Sequence, residues 1–288
     1  MRYEEGASTG TRVVCFLSDF GLGDDYVGLC KGVISSLAPA ANVIDLAHEL
    51  PGFGLEYGAE TLEHATRYMP ADAVYLAVID PGVGTDRRAL ALRVRGGAHL
   101  VGPDNGLLLP AADSLGGVEE AISLTDDRYH VHPVSSTFHG RDIFAPVAAR
   151  LAAGTPISEL GESVDPASLV RLELPEAEVV TAQGVQTRIL AVDRYGNVRL
   201  SATQDVPGFE FGSLLRVETP EGTLKCRYAQ TFGGSAVGDL LVVPDSHRRL
   251  SLSVNQGNAA KALGLRIGHR VRISLLEEPP RERDGSQR

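Results

Sequence analysis

Short runs of wholly apolar residues alternate, in the first half of the chain, with stretches whose apolar residues recur every three or four positions. A continuous apolar run is typical of a strand buried on both faces, and a period near 3.6 is typical of a helix. The runs predict strands at residues 12–17, 42–46, 73–79 and 89–94. The periodic stretches predict helices at 24–36 and 55–68. Together they indicate an α/β domain with a mostly parallel sheet that is covered by helices on both faces.

A further helix is predicted within residues 139–154, HGRDIFAPVAARLAAG, opening near Gly140 and ending at Gly154. Gly154 is a typical residue for the end of a helix, since glycine adopts the left-handed conformation that such an end requires. Pro146 has no N–H group to donate, so we expect it to lie in the first turns of this helix or to kink it.

The pattern changes after about residue 170. Residues 173–184 are acidic, include a proline and lack periodicity, which indicates a linker. Seven short β-like runs follow, from VQTRILAV to RVRISLL, and they predict a small antiparallel barrel or sandwich. The predicted layout is a disordered N-terminus, an α/β domain, the linker, a β domain and a disordered tail, at 1–11, 12–172, 173–184, 185–276 and 277–288.

Composition narrows the classes of function. With 37 acidic and 27 basic residues the chain has a formal charge of −10, which disfavours nucleic acid as a partner. The three cysteines do not have the number or spacing of a disulfide framework or a zinc site, and Cys15, inside an apolar run, is expected to be a buried free thiol. We expect a cytoplasmic protein without a membrane partner, because no signal region and no membrane-length apolar stretch is present.

The first candidate site is SDFGLGDDYVG, residues 18–28, which follows the first strand directly. Ligands of parallel sheets bind beyond the carboxyl ends of the strands. The glycine spacing does not match a dinucleotide or P-loop motif, and three aspartates would repel phosphate but suit hydroxyls or an amine. The alternative is helix capping by Asp24 or Asp25. We expect one aspartate to cap the helix and at least one other to serve function.

The second candidate site is VIDPGVGTDRR, in which Asp80 ends the third strand on the same sheet edge as Asp19. Arg87 and Arg88 follow within reach of that edge, although a simple Asp-Pro-Gly turn with a surface ion pair explains the segment equally well. The third candidate is His139, which precedes a predicted helix, where the helix dipole favours a neutral imidazole. A packing or capping role is the alternative for His139. The sequence indicates no partner for His48.

Seven segments in the same order resemble the S-adenosyl-L-methionine hydroxide adenosyltransferases, relatives of the adenosyl-fluoride and adenosyl-chloride synthases. They are SDFGLGDDYVG, IDLAHELPGFG, VIDPGVGTDRR, VGPDNGLL, STFHGRDIFAPVAA, VDRYGNV and the NQGNAA region. The resemblance implies an α/β domain joined to an antiparallel β-barrel domain. It also implies a homotrimer with each site between the first domain of one subunit and the second domain of its neighbour.

The activity that this resemblance implies is attack of water or hydroxide on C5′ of S-adenosyl-L-methionine, which gives adenosine and L-methionine without a metal or another cofactor. The matching positions for the Asp–Arg–His set of the hydroxide-using members are Asp80, Arg87 and His139. As a hypothesis, Asp80 and His139 hold and polarise the water, while Arg87 orients Asp80. Either of the two could accept the proton.

The resemblance also implies contacts to the substrate, position by position. It matches Asp19 to the ribose diol, and Asp24 and Asp193 to the methionine ammonium group. It matches Asn197 to an adenine hydrogen bond and places Asn255 in the strand-turn that borders adenine. Phe53 falls beside the ribose, Tyr195 and Phe232 match flanking aromatic rings, and Ser246 matches a contact to the methionine end.

Departures from the halide-using branch favour water as the nucleophile. Asp80 stands where those enzymes have tyrosine or another uncharged residue, and a carboxylate there would repel a halide. His139–Gly140 replaces the Tyr–Ser pair of the fluoride enzymes. Hydrolysis of S-adenosyl-L-methionine is therefore the leading hypothesis. The alternatives are an adenosyl-chloride synthase, a protein that binds S-adenosyl-L-methionine or adenosine without turnover, and an unrelated nucleoside-processing α/β enzyme.

Overall fold

The computed structural model describes residues 12–50, 54–173, 178–181 and 184–276. The chain divides into two compact units, Met1–Glu173 and Leu174–Arg288. The predicted disordered ends at 1–11 and 277–288, and the predicted ligand contact Phe53, lie outside the described residues. No helix within these described ranges is long and apolar enough to cross a lipid bilayer.

The first unit is built on a seven-stranded sheet. Its strands are β1 Val14–Ser18, β2 Val43–Ala47, β3 Val74–Val78, β4 Ala89–Val94, β5 His99–Pro103, β6 Val118–Ser123 and β7 Glu162–Ser163. They lie in the order β2-β1-β3-β5-β4-β6-β7. Strands β2, β1, β3 and β5 run parallel, and β4, β6 and β7 extend the sheet in antiparallel fashion. The predicted α/β class with a mostly parallel sheet is confirmed, and all four predicted strands are present.

Helices cover both faces of this sheet, as predicted. They are α1 Tyr26–Leu37, α2 Leu55–Ala65, α3 Leu109–Ser114 and α4 Ala145–Ala152. Helices α1 and α4 pack with Val14 and Phe16 of β1 on one face, while α2 and α3 pack with Cys15 and Leu17 on the other. Successive residues of a strand point to opposite faces, so a strand covered on both sides needs an unbroken apolar run.

Two sequence predictions about these helices need correction. Helix α2 ends at Ala65 rather than at residue 68, and the hydroxyl of Thr66 donates to the carbonyl of Glu63 just beyond that end. Asp25 occupies the N-cap position of α1, but its side chain makes no capping hydrogen bond. Its backbone is already helical, with φ −83° and ψ −7°, whereas a capping side chain normally sits on an extended residue.

The second unit is a closed barrel of seven strands, which are the seven that the sequence pattern predicts. They are β9 Gly184–Val192, β10 Val198–Thr203, β11 Leu214–Thr219, β12 Gly222–Tyr228, β13 Leu240–Pro244, β14 Arg249–Val254 and β15 Arg270–Leu275. Neighbouring strands are antiparallel except β12 and β13. An additional strand, β8 Glu178–Thr181, pairs with β9 inside the segment predicted to be a linker, and a short helix α5, Ala259–Ala262, precedes β15. The three cysteines are free and buried, as predicted for Cys15.

Buried hydroxyls support the contact between β9 and β10 that closes the barrel. The register of this pair shifts between Arg199 and Leu200, which interrupts the regular ladder. Beyond the shift, the N–H of Ala202 donates to the hydroxyl of Thr187 at 2.9 Å, and the N–H of Arg188 donates to the hydroxyl of Ser201 at 3.0 Å. The two hydroxyls lie 3.0 Å apart. Side chains thus supply acceptors that the shifted backbone does not.

We predict that Thr187→Val destabilises the barrel by about 1–3 kcal/mol, because it keeps the shape of the side chain but leaves the buried N–H of Ala202 without its acceptor. Urea unfolding, with hydrogen exchange of the Ala202 amide, measures the effect. Thr223→Val, at an exposed position of β12, is the matched control and is expected to change stability by less than about 0.5 kcal/mol. Equal stability of the two variants would contradict the role of the hydroxyl.

Candidate active site

Two of the predicted site residues lie together at the carboxyl edge of the parallel sheet. In the register of β1 and β3, Ser18 pairs with Val78. The chain leaves β1 at Asp19 and reaches Asp80 two residues after β3. Parallel strands end at the same edge, so the prediction that these two aspartates share one edge is confirmed.

Asp80 and Arg87 form a forked ion pair across the loop of VIDPGVGTDRR. Nε of Arg87 donates to both carboxylate oxygens of Asp80 at 3.0 Å, and one terminal nitrogen donates to Oδ2 at 2.5 Å. The side chains are only 6% and 11% exposed, respectively. The guanidinium of Arg87 also lies over the ring of Phe144, 5.2 Å from its centroid. A close and doubled contact of this kind offsets the cost of removing the two side chains from water.

Arg87 also joins His139 to Asp80. A terminal nitrogen of the guanidinium lies 2.8 Å from Nδ1 of His139. Arginine can only donate, so Nδ1 accepts this hydrogen bond and the neutral imidazole carries its proton on Nε2. Burial, and then the positive charge of Arg87, lowers the pKa of His139 below its usual value, against the opposite effect of Asp80. The structure therefore brings the three residues together around one guanidinium.

Gly84 lets the loop that carries Asp80 and Arg87 lie against the segment before His139. Its φ is +77°, and a Cβ on it would stand 2.3 Å from the carbonyl oxygen of Ser136. No other residue fits this approach without moving one of the two loops. Within the loop, the N–H groups of Val83 and Thr85 donate to the carbonyls of Asp80 and Gly82.

The helix that follows His139 opens with a widened turn. Residues Gly140–Phe144 form a π-helical turn, and α4 continues from it with Pro146 in its first turn, as the sequence predicts. In a regular helix the N–H at position 146 would bond the carbonyl of Asp142, but proline has none. That carbonyl instead accepts from the N–H of Val131 at 2.8 Å. The proline therefore frees an acceptor that ties down the preceding loop.

Asp142 is completely buried under the site and fixes the segment that leads to His139. Its carboxylate accepts from Nε and a terminal nitrogen of Arg141, at 2.6 and 2.9 Å. It also accepts from the N–H of Ser135 at 2.8 Å. These hydrogen bonds compensate the buried carboxylate and anchor the segment between Ser135 and His139 at its first residue.

A cluster of aromatic rings connects the Asp19 segment to His139. Phe138 lies 5.6 Å from Phe20 and 4.9 Å from Tyr26, measured between ring centroids, with edge-to-face geometry. A Cβ on Gly140 would come within 2.9 Å of the ring of Phe20, so glycine allows this contact. The residues on either side of His139 therefore touch the residue that follows Asp19. Asp24 is exposed in the same segment, just before α1.

Arg88, for which the sequence gives no role, anchors the other end of the Asp80 loop. Its side chain donates to Asp104 at 2.7 Å and to the hydroxyl and carbonyl of Ser168 at 3.0 and 2.7 Å. The second oxygen of Asp104 accepts from the N–H of Val170. Next to it, the amide of Asn105 donates to the carbonyl of Ile79 at 2.8 Å, directly before Asp80.

Asp104 and Asn105 are therefore important residues that reasoning from the sequence does not identify individually. They belong to VGPDNGLL, one of the segments that carry the family resemblance, and this is the signal that points to them. Their neighbour Gly106 has a φ of +93°, and a Cβ there would lie 2.8 Å from Leu172. The motif thus brackets the Asp80 loop and packs against the last segment of the first unit.

In the barrel unit, the predicted ligand contacts form two local turns. The carboxylate of Asp193 accepts from the N–H groups of Tyr195 and Asn197, and from the side-chain amide of Asn197 at 2.8 Å. The side-chain amide of Asn255 donates to the carbonyl of Ser235 at 2.8 Å, beside the short turn that begins at Phe232.

These barrel residues differ in how far their side chains are exposed and hydrogen-bonded. Tyr195 and Phe232 expose their rings, and Ser246 is exposed in the turn between β13 and β14. Asp193 and Asn197 use part of their hydrogen-bonding capacity on their own turn, and Asn255 uses its amide on Ser235. Across the ranges that the structure describes, no cluster of three or more His, Cys, Asp or Glu side chains is arranged to hold a metal ion.

Two family models match the chain. The model of the SAM hydroxide adenosyltransferase N-terminal domain matches residues 14–161, and that of the C-terminal domain matches residues 187–272. The chain belongs to the SAM hydroxide adenosyltransferase family. The family resemblance that the seven segments suggest is thereby confirmed over both units.

Curated relatives of the family are similar to this chain over nearly its full length. A protein from Salinispora tropica named (R)-S-adenosyl-L-methionine hydrolase is 46% identical over 268 residues, which cover 91% of this chain and 97% of the relative. A protein of the same name from Thermus thermophilus is 41% identical over 270 residues, covering 91% and 99%. A protein from Actinopolyspora mzabensis named fluorinase is 27% identical over 290 residues, covering 91% and 97%.

Two solved structures share the fold of the family. An uncharacterized conserved protein from Thermotoga maritima has a TM-score of 0.83 and 34% identity, with 91% of this chain and 99% of that chain covered. A conserved hypothetical protein from Thermus thermophilus has a TM-score of 0.70 and 38% identity, with 92% and 100% covered.

The geometry around Arg87 predicts opposite shifts of the His139 pKa in two variants. Arg87→Gln removes a positive charge that disfavours imidazolium, so the pKa of His139 rises. Asp80→Asn removes a negative charge that favours imidazolium, so the pKa falls. Titration of the imidazole proton resonances by NMR measures both shifts. The control is His99, whose pKa of about 4 is set by burial and by Arg12 and Arg93 and is expected to stay unchanged. Identical His139 titrations in both variants would contradict the arrangement.

Proposed function

We propose that this chain is an enzyme that hydrolyses S-adenosyl-L-methionine to adenosine and L-methionine. The observation that carries this proposal is the hydrogen-bonded Asp80–Arg87–His139 set at the ligand-binding edge of the sheet, in a member of the SAM hydroxide adenosyltransferase family. The hydrolase names of relatives that are 41–46% identical support the same substrate, in its (R) form.

The chemistry of this substrate suits a site without a cofactor. Water attacks C5′, a carbon–oxygen bond forms, and the carbon–sulfur bond breaks with its electron pair passing to sulfur. The sulfonium is positive and the departing thioether is neutral, so no general acid is needed to assist the leaving group. The protein has to orient the water, accept one proton from it and keep bulk solvent away.

The hydrogen-bond directions around Arg87 support a division of roles. His139 accepts from Arg87 through Nδ1, so its remaining nitrogen, Nε2, carries a hydrogen and can only donate in the neutral form. Oδ2 of Asp80 accepts from both nitrogens of Arg87, whereas Oδ1 accepts from Nε and keeps a lone pair for the water. We therefore assign Asp80 as the acceptor of the proton of the water and His139 as a donor that holds the oxygen of the water. Arg87 fixes both and disfavours protonation of the imidazole.

The substrate is proposed to lie along the carboxyl edge of the first unit. Asp19 is proposed to bind the ribose diol, and Asp24 the methionine ammonium group, since carboxylates accept from both. Asp193, Ser246, Asn255 and the side chains of the 195–197 turn are proposed to contact the two ends of the molecule from a barrel unit. Phe53 and Phe232 complete the predicted set, with rings suited to packing against the nucleoside.

We further propose a homotrimer in which the barrel contacts to each site come from a neighbouring subunit. The exposed apolar side chains Leu22, Tyr26 and Leu29, next to Asp19 and Asp24, support a surface that another chain covers. Asp80 argues against a halide as the nucleophile, because a buried carboxylate beside the reacting carbon repels an anion.

The proposed reaction predicts adenosine and L-methionine in equal amounts, with oxygen from labelled water on C5′ of adenosine. Asp80→Asn and His139→Asn are expected to lower kcat by about 10²–10⁴-fold, the range usual for loss of proton-transfer catalysis. Both amides keep an oxygen that accepts from Arg87, which limits damage to the fold. Chromatography and mass spectrometry of the products measure the outcome.

Asp86→Asn is the matched control, because Asp86 is exposed in the same loop. It is expected to keep full activity. Chlorinated adenosine as the main product in chloride buffer would replace the proposal with a halide reaction. Tight binding of S-adenosyl-L-methionine without any product would replace it with a binding function. Full activity of both Asp80→Asn and His139→Asn would refute the assigned roles.

A further inference from the structure

The segment that carries Asp19 is held at both of its ends by one buried histidine. His48, which follows β2, is 4% exposed. Its Nδ1 lies 2.7 Å from the hydroxyl of Ser18, the residue before Asp19. Its carbonyl accepts from the N–H of Gly21 at 2.7 Å, two residues after Asp19. Side chain and backbone of the same residue thus fix the segment on either side of the aspartate.

The direction of each hydrogen bond in this group is determined. Nε2 of His48 lies 3.2 Å from Oδ1 of Asp45, whose second oxygen accepts from Lys31 at 2.8 Å. Burial raises the pKa of Asp45, but the hydrogen bonds from Lys31 and His48 outweigh it, so the net effect is a lowered pKa and an ionised carboxylate. An ionised carboxylate only accepts, so Nε2 carries the hydrogen of the neutral imidazole. Nδ1 therefore accepts from the hydroxyl of Ser18.

The hydroxyl of Ser18 is committed to one orientation as a result. It is fully buried, donates to His48 and accepts from the N–H of Phe20 at 3.4 Å. Burial also lowers the pKa of His48, so the imidazole stays neutral near neutral pH and keeps this direction. The chain from exposed Lys31 through Asp45 and His48 to Ser18 thereby ends at the residue next to Asp19.

We propose that His48 is a positioning residue, which acts through Ser18 and Gly21 to hold the Asp19 carboxylate ready for the ribose diol. This inference rests on the proposed function only in taking a nucleoside as the ligand. A carboxylate that accepts two hydroxyls has to be held in one geometry before binding, and ordering it on binding would reduce affinity. Gly21, with φ +73°, reverses the chain after Asp19 and places its N–H against His48.

The competing explanation is that His48 only fills space in the core. Its ring does pack edge-to-face against Phe16, at 4.6 Å between centroids. His99 provides the matched comparison, because it is also 4% exposed and its Nδ1 also accepts one side-chain hydrogen bond, from Arg12. His99 begins β5, at the end of the sheet opposite the site. Truncation of either histidine lowers stability, but only His48 is connected to Asp19.

The experiment measures the dissociation constants of adenosine and 2′-deoxyadenosine by calorimetry, for the wild type and for His48→Ala, His48→Asn, Ser18→Ala and His99→Ala. We expect His48→Ala and Ser18→Ala to raise the dissociation constant of adenosine about tenfold, the order of one lost hydrogen bond to a charged group. The dissociation constant of 2′-deoxyadenosine is expected to change much less, so the preference for adenosine over 2′-deoxyadenosine falls. His48→Asn places an amide oxygen near the position of Nδ1 and is expected to restore most of the preference.

The outcomes separate this inference from the proposed hydrolysis, since neither ligand is turned over. Unchanged ribose preference in His48→Ala and Ser18→Ala, with lowered melting temperatures, would reduce His48 to a packing residue. An equal loss of preference in His99→Ala would also overturn the inference. A wild type that binds adenosine with the expected preference but does not hydrolyse S-adenosyl-L-methionine would refute the proposed function and leave the positioning role supported. No measurable binding of adenosine to the wild type would refute both.

Discussion

One guanidinium organises the carboxyl edge of the first unit. Arg87 donates to Asp80 through Nε and a terminal nitrogen and to His139 through a terminal nitrogen, and its guanidinium lies over the ring of Phe144. A buried arginine has no acceptor of its own and cannot lose its charge, so its neighbours must supply acceptors in fixed places. This requirement determines the protonation of His139 and the geometry of Asp80 together. The three side chains therefore behave as a unit rather than as separate residues.

The backbone around these three side chains is shaped by glycines, which lack a Cβ, and by a proline, which lacks an N–H. Gly84 and Gly140 have no Cβ, and each permits a contact that any other residue would block. Pro146 has no N–H, and the carbonyl it leaves free bonds to Val131. The widened turn at Gly140–Phe144 is of the kind often found at functional sites, where an extra residue in the turn redirects a side chain. Three loops distant in sequence are thereby held within contact distance.

Local pattern predicts much of this fold because the strands are either covered on both faces or regularly alternating. β1 and β3 are unbroken apolar runs, and the barrel strands have turn residues between them. The pattern does not predict an element that is short or polar, such as β6, VEEAIS. It also does not predict β8, which is a strand because it pairs with β9. Asp25 shows the limit of residue preferences: it has the right position for a cap, but the local backbone directs its side chain elsewhere.

The site was less predictable from local pattern than the fold. Topology places Asp19 and Asp80 on one edge, and the family resemblance adds Arg87 and His139. Contacts between distant residues, such as Ser18 with His48 or Arg88 with Ser168, follow from tertiary packing and leave no periodic signal. His48 and Arg88 therefore gain a role only when the chain is folded.

The hydrogen bonds of Arg88 limit where the α/β unit can be joined to the barrel of a related protein. The hydrogen bonds of Arg88 to Ser168, and those of Asp104 to Arg88 and Val170, join the loop of Asp80 to the last segment of the first unit. Leu172 packs on Gly106 at the same place. A chimera that joins this α/β unit to the barrel of a relative should therefore keep the native sequence through residue 172. An earlier junction would alter the reacting loop even though every residue of that loop was retained.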